Sequence, residues 1–203
     1  MGDKVSIVTP THHRDPGIIA RCMGCVRAQT HEDWEHILCS DGEFEAHVHS
    51  LALVDEDDPR VSYTHTQRAH NDYGYGVRKE MVENVATGDF LVFLDDDNMI
   101  MPTYLEKMVK ALNGAQDGEE FAICQILHFG PLQQFWGRPP CVLTGVPPKL
   151  YYIDTLQIMI RLAAFREVGF QKDFGYFTDG NTYEVLGEKF KWVEVPECLA
   201  VHM

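Results

Sequence analysis

Residues 90–98 read Phe90-Leu91-Val92-Phe93-Leu94-Asp95-Asp96-Asp97-Asn98, five apolar residues running into three carboxylates and an amide. A continuous apolar run of this length, closed by turn-forming residues, reads as a strand covered on both faces, the kind found in parallel sheets. Three adjacent like charges repel one another, so collecting them adds nothing to stability. A hard divalent cation offsets that repulsion, because such metals take carboxylate oxygens. In open α/β sheets ligands bind beyond the carboxyl ends of the strands, which is where this acidic trio falls. The chain holds a second acidic run, Asp55-Glu56-Asp57-Asp58, but it precedes Pro59 in a polar stretch and reads as a solvated loop.

Outward from residue 90, strands and helices alternate. On the N-terminal side, Lys4–Val8 reads as a buried strand. Asp15 followed by Pro16 gives an N-cap and a first-turn proline, opening a helix to about Gln29. Trp34–Cys39 is a second strand, ending at the turn Ser40-Asp41-Gly42, and Val61–His65 is a third. Tyr75–Val85 has helical spacing and is followed by Gly88. On the C-terminal side, Pro102 begins a helix reaching about Leu112. This alternation predicts an α/β domain whose mostly parallel central sheet is covered by helices on both faces. Past residue 114 the pattern changes. Glu120–His128 reads as a strand, residues 129–150 have no clear period, and Asp154–Val168 reads as a strand running into a short helix. Thr182–Glu188 is a short helix and Trp192–Val195 a last strand. This second half is expected to pack on the same sheet. Its aromatics, including Phe135, Trp136, Tyr151 and Tyr152, suit sugar stacking, although ordinary packing is the commoner role of such residues.

Composition narrows the function classes. At 203 residues, one ordinary domain buries roughly 70% of the surface its unfolded chain exposes. Lys plus Arg number 17 and Asp plus Glu 31, a formal charge of −14. That balance argues against a nucleic-acid partner, which selects a basic face. The apolar runs are too short for a transmembrane segment, and the first ten residues do not have the form of a secretory signal. Six cysteines are too few for a disulfide scaffold. Cys22 and Cys25 form a C-x-x-C, but no second pair stands at zinc spacing, and they fall mid-helix rather than at a helix start. They read as two small residues on a packed helix face, and a reducing, cytoplasmic location is expected, with peripheral membrane association open.

Several segments, taken in order, resemble the family 2 glycosyltransferases of the GT-A fold. Val5-Ser-Ile-Val-Thr-Pro-Thr11 with Arg14 resembles the family's opening strand and turn, and Gln29-Thr-His-Glu-Asp-Trp-Glu35 resembles the approach to its second strand. Ser40-Asp41-Gly42 resembles its acidic turn. Ala86-Thr-Gly-Asp-Phe90 running into Asp95-Asp-Asp97 resembles the strand that ends in the D-x-D motif. Ile158–Arg161, Glu167–Phe170, Val195-Pro-Glu197 and His202 resemble the family's later segments. The resemblance covers nearly the whole chain. It implies a single GT-A domain over 1–203, with 1–113 as the nucleotide-binding half and 114–203 as the acceptor-side half.

The resemblance also implies roles. Asp41 matches the aspartate that recognises the base, usually uracil, whose ring N–H a carboxylate can accept. Thr9 and Thr11 would line the base pocket beside Arg14. Arg78 or Lys79 would face the diphosphate, with an ordinary solvated helix charge as the alternative. Asp95 matches the aspartate that contacts ribose, Asp96 accompanies it, and Asp97 matches the one that binds the metal. His202 matches a C-terminal histidine that completes the metal site; imidazole tilts the choice toward Mn²⁺ over Mg²⁺. Asn98 stands where a further aspartate is frequent. Asp179, in Phe177-Thr-Asp-Gly-Asn181, matches the base that takes the acceptor proton, although Thr178 replaces a common glutamate. Its alternative is a capping role for a helix starting near Thr182, with Glu184 as the next candidate base.

The expected activity is therefore metal-dependent inverting transfer of a sugar from a nucleotide-sugar, a UDP-sugar, to a hydroxyl of a glycan, a lipid-linked or another acceptor. Two alternatives compete with it: a GT-A-like module that binds nucleotide or glycan without transfer, and an aspartate-dependent phosphatase. His65, His70 and His128 have no partner readable from sequence, and Asp154 is a loose candidate for reaching the acceptor.

Overall fold

The computed structural model describes residues 2–53, 58–129, 140–171 and 175–203. Phe135, Trp136 and most of the acidic run at 55–58 lie outside the described residues. Among the described residues nine strands form one sheet in the order β3-β2-β1-β4-β8-β6-β9-β5, with β7 paired to β6. The first four are β1 (Val5–Thr11), β2 (Trp34–Ser40), β3 (Val61–His65) and β4 (Phe90–Phe93). All three contacts among them are parallel, as the strand–helix alternation requires. Beyond β4 the sheet is mixed, which corrects the mostly parallel expectation for that half. β8 (Ile158–Arg161) runs antiparallel to both β4 and β6 (Glu119–His128), and β6 runs parallel to β9 (Lys191–His202). The short strands β5 (Met99–Ile100) and β7 (Cys141–Leu143) pair antiparallel with β9 and β6.

Residues alternate between the two faces of the parallel strands, and helices cover both. α1 (Pro16–Arg27), α2 (Ala46–Ala52) and α4 (Tyr104–Asn113) lie on one face. α3 (Tyr75–Asn84), α5 (Leu162–Val168) and α6 (Thr178–Lys189) lie on the other. Asp15 caps α1, accepting the Gly17 N–H at 2.8 Å, with Pro16 in the first turn. Cys22 is buried and Cys25 half-buried, both as free thiols, so this C-x-x-C packs a helix face as expected. Glu35 ties the lower ends of the parallel strands together. It accepts from Lys4 Nζ (2.6 Å), Ser6 Oγ (2.6 Å) and the Thr87 N–H (2.7 Å). Burial opposes its ionisation, yet these donors win and hold its pKa down at about 2.

β9 extends seven residues past Val195, where the sequence pattern placed its end. Pro196 has no N–H to give a ladder, so it reads as a stop. The chain instead bulges: Val195 pairs with Cys124 and Cys198 with Gln125, leaving Pro196 and Glu197 looped out. Pairing then resumes to His202, opposite His128. Likewise α6 starts at Thr178, one turn before the expected Thr182.

His36 on β2 is fully buried, with Nε2 2.9 Å from Thr9 Oγ1. Burial, aided by the charge of Arg27, lowers its pKa to about 3. The unfolded chain therefore takes up a proton near pH 6.5 that the folded chain refuses until about pH 3. Stability from this group is intact above pH 6.5 and falls by about 1.4 kcal/mol for each pH unit below it. Urea denaturation at pH 7 and pH 5 measures this; the loss in the wild type should exceed that of His36→Gln by about 2 kcal/mol, and equal losses would refute it.

Candidate active site

The carboxyl ends of β1, β2 and β4, the N-terminus of α3 and the start of α6 enclose a cleft of about 770 Å³. Strand β4 ends inside it. Arg14, from the loop after β1, spans two members of the trio, with Nε 2.9 Å from Asp96 Oδ1 and a terminal nitrogen 3.2 Å from Asp97 Oδ2. Arg78, in the first turn of α3, is buried; it donates to Asp95 and to the Tyr73 carbonyl (3.1 Å) and lies over the Tyr75 ring. Two arginines thus offset the repulsion within the trio. Asp96 is the buried member, and burial pushes its carboxyl up to about 6 despite Arg14.

Arg78 and Lys79 are now distinguished. Lys79 lies outside the cleft and pairs with Glu83 at 3.6 Å along the helix surface, so of the two it is the solvated helix charge. Thr9 is also corrected. It sits two residues short of the end of β1, buried against His36 rather than in the cleft, whereas Thr11 at the strand end lines the cleft. Asp41 lines the cleft and also fastens the loop opposite. Its two oxygens accept the N–H of His70 (2.8 Å) and Asn71 (2.9 Å). That loop carries Asn71 (φ 53°) and Tyr73 (φ 62°) in the left-handed region, and both line the cleft. Backbone strain of this sort persists where surrounding bonds fix it.

Asp179 lines the same cleft from the first turn of α6 rather than ahead of it. It accepts from Thr155 Oγ1 at 3.3 Å and from the Gly180 N–H at 2.7 Å. Burial, then the charge of Asp154, raises its pKa to about 6. The alternative candidate, Glu184, is not among the cleft-lining residues, while Tyr151 and Phe177 line it with their rings edge to face at 5.4 Å.

Two residues are more central here than their sequence signal. Asp154 is buried, and its Oδ2 lies 2.9 Å from His202 Nδ1. His128 stacks on the His202 ring at 4.4 Å. β9 brings His202 to the cleft as a paired strand residue, and Asn98 Oδ1 accepts the Met203 N–H beside it (3.1 Å). Burial works against protonation of His202, but the Asp154 carboxylate at ion-pair distance outweighs it and lifts the pKa to about 8. No local pattern around residue 128 or 154 announces these contacts, which only strand pairing creates.

The cleft holds two kinds of group that divalent cations take, the Asp97 carboxylate and the His202 imidazole, whose Nδ1 lies 2.9 Å from Asp154 Oδ2. Among the described residues no group of three or more His, Cys, Asp or Glu side chains is placed to hold a metal ion. Cations that act on phosphates typically take only one or two carboxylates from the protein and complete their shell with phosphate and water.

A parallel α/β half with an acidic strand tip, joined to a mixed half that adds a further carboxylate to the same cleft, defines the domain of a GT-A glycosyltransferase. The family model for Glycosyl transferase family 2 matches residues 6–172, and the chain belongs to that family. Among curated proteins, succinoglycan biosynthesis protein ExoW of Rhizobium meliloti is 33% identical over 105 residues, 50% of this chain and 32% of that protein. Among solved structures, S. aureus TarS superposes with a TM-score of 0.75 at 14% identity, over 98% of this chain and 36% of that one. Mannosyltransferase PcManGT from Pyrobaculum calidifontis, in complex with GDP-Man and Mn²⁺, gives 0.66 at 15% identity, over 97% of this chain and 56% of that one. The chain therefore spans about a third of the lengths of ExoW and TarS. No helix among the described residues is long and apolar enough to cross a membrane.

Proposed function

We propose that this domain transfers a sugar from a nucleotide-sugar, a UDP-sugar, to an acceptor hydroxyl with inversion at the sugar carbon, assisted by Mn²⁺ or Mg²⁺. The observation that carries this reading is the make-up of one cleft. Asp95, Asp96, Asp97, Arg14 and Arg78 line it together with Asp179, whose pKa lies near 6. Direct displacement needs a leaving group stabilised on one side and a base on the other, and a base whose pKa lies near the working pH is well matched to its task.

Each residue then has a task. Asp41 and Thr11 bound the space for the base, and Asp95 meets the ribose. Arg78 and Arg14 hold charge on the diphosphate. Asp97 and His202 would hold the cation, which when bound neutralises charge on the leaving diphosphate as a Lewis acid. Asp179 takes the acceptor proton at its carboxylate. S. aureus TarS has been crystallised in complex with UDP-GlcNAc, which supports a nucleotide-sugar donor by likeness of fold. The reading places 1–113 as the donor half and 114–203 as the acceptor half of one domain, and the acceptor as a glycan or lipid-linked hydroxyl.

Calorimetry with UDP, with and without Mn²⁺, tests it. Wild-type affinity should rise at least tenfold with Mn²⁺, a gain of about 1.4 kcal/mol or more. Asp97→Ala should bind UDP equally with and without the metal. A wild-type affinity indifferent to Mn²⁺ and to a chelator would remove the cation from the reading.

A further inference from the structure

The turn at 154–157 is fixed from several sides. Asp154 Oδ1 accepts the Leu156 N–H (2.9 Å), and Gln157 Oε1 accepts the Asp154 N–H (3.0 Å), a closed capping box. Gln157 Nε2 then donates to the Cys124 carbonyl on β6 (2.8 Å) and to the Leu143 carbonyl on β7 (3.2 Å). This arrangement needs only one acceptor oxygen from residue 154, and an asparagine caps about as well as an aspartate. The second oxygen, Oδ2, is surplus to the turn and lies 2.9 Å from His202 Nδ1. His128 packs flat on the same imidazole, 4.4 Å away and 18° from parallel, so the ring is held at its edge and on one face.

We propose that Asp154 is a positioning residue: through its Oδ2 it fixes the orientation of His202, so that Nε2 is presented to the cation bound with the nucleotide. The inference rests on the metal site of the proposed function and deepens it. A buried carboxylate that accepts from the far nitrogen of a ligating imidazole fixes the ring and raises its basicity, and losing it typically costs about 10–100-fold in metal affinity. The turn also carries Thr155, whose hydroxyl donates to Asp179, so one rigid element contacts both His202 and Asp179.

Asp154→Asn separates this role from a structural one, because the amide retains an oxygen for the cap but can supply only one acceptor. We expect its melting temperature to stay within a few degrees of the wild type while its Mn²⁺-dependent UDP affinity falls about 10–100-fold by calorimetry. Its affinity for UDP without metal should be unchanged. Asp154→Ala should lose stability as well as affinity. If Asp154→Asn retains wild-type Mn²⁺-dependent affinity, the positioning role is overturned while the metal site stands. If the wild type itself shows no Mn²⁺ dependence, the metal site and this inference fall together. If Asp154→Asn loses metal-free and metal-dependent affinity in equal proportion, the effect is general damage to the cleft and the inference also fails.

Discussion

Asp179→Asn lowers turnover by about 10²–10⁴-fold and leaves UDP affinity within about twofold of the wild type. The amide keeps the shape of the side chain and its place in the first turn of α6, but it cannot take the acceptor proton. Turnover within tenfold of the wild type would remove Asp179 from that role. The wild-type rate should also follow its ionisation. The base works deprotonated, so the rate climbs through a pKa of about 6 and levels off above pH 7, as seen in a pH–rate profile.

The same substitution carries a second, opposite effect. The folded carboxyl titrates near 6 and the unfolded one near 3.8, chiefly because burial disfavours the charge. The folded state thus holds a proton more tightly, and stability falls as pH rises from about 3.8 to about 6. At neutral pH the ionised side chain costs about 1–2 kcal/mol after discounting for its partial exposure. An amide carries no such cost, so the melting temperature of Asp179→Asn should rise by about 2–6 °C. A variant that loses both activity and stability is instead misfolded.

Arg78→Met should cost UDP affinity about 10–100-fold, the equivalent of one charge-assisted hydrogen bond to the diphosphate. It should also destabilise the fold. Breaking a wholly buried ion pair costs about 3–5 kcal/mol. Here the Arg78 side chain is 4% exposed but that of Asp95 is 36% exposed, so water takes up part of the orphaned charge. The expected loss is about 1–3 kcal/mol. Lys79→Met is the matched comparison, because Lys79 shares the helix but pairs with Glu83 on the surface. It should change UDP affinity less than twofold and stability by less than about 0.5 kcal/mol. Calorimetry and thermal melting read both variants, and equal behaviour of the two would deny Arg78 its place at the diphosphate.

The contrast between Arg78 and Lys79 shows where sequence reading stopped. Both fall on a correctly expected helix, and neither periodicity nor resemblance separates them. The 100° step between neighbours on a helix sends one side chain under Asp95 and the other into solvent, and the register becomes known only when α3 is docked. Thr9 and Thr11 differ for a related reason: both face the same side of β1, but only the last residue of a strand reaches the space beyond the sheet. The acidic tip at 95–97 was legible because its signal is local, an apolar run ending in carboxylates. Asp179 was legible as a residue, but not as part of α6, since the Thr178-Asp179-Gly180-Asn181 stretch has low helix propensity that tertiary packing overrides.

By itself the sequence determined the local elements: the parallel strands β1 to β4, the capped start of α1, the acid trio and the order of segments that marks the family. These depend on composition and spacing within about ten residues. Tertiary structure decided the mixed half of the sheet, the continuation of β9 past Pro196, and the meeting of Asp154, His128 and His202. Those contacts join residues 26 to 74 positions apart, and nothing in a local hydrophobic pattern encodes which distant strands will pair. Pairing is settled by the shared burial of both faces once the chain has collapsed, and it is this pairing that brings Asp154 and His202 to the cleft.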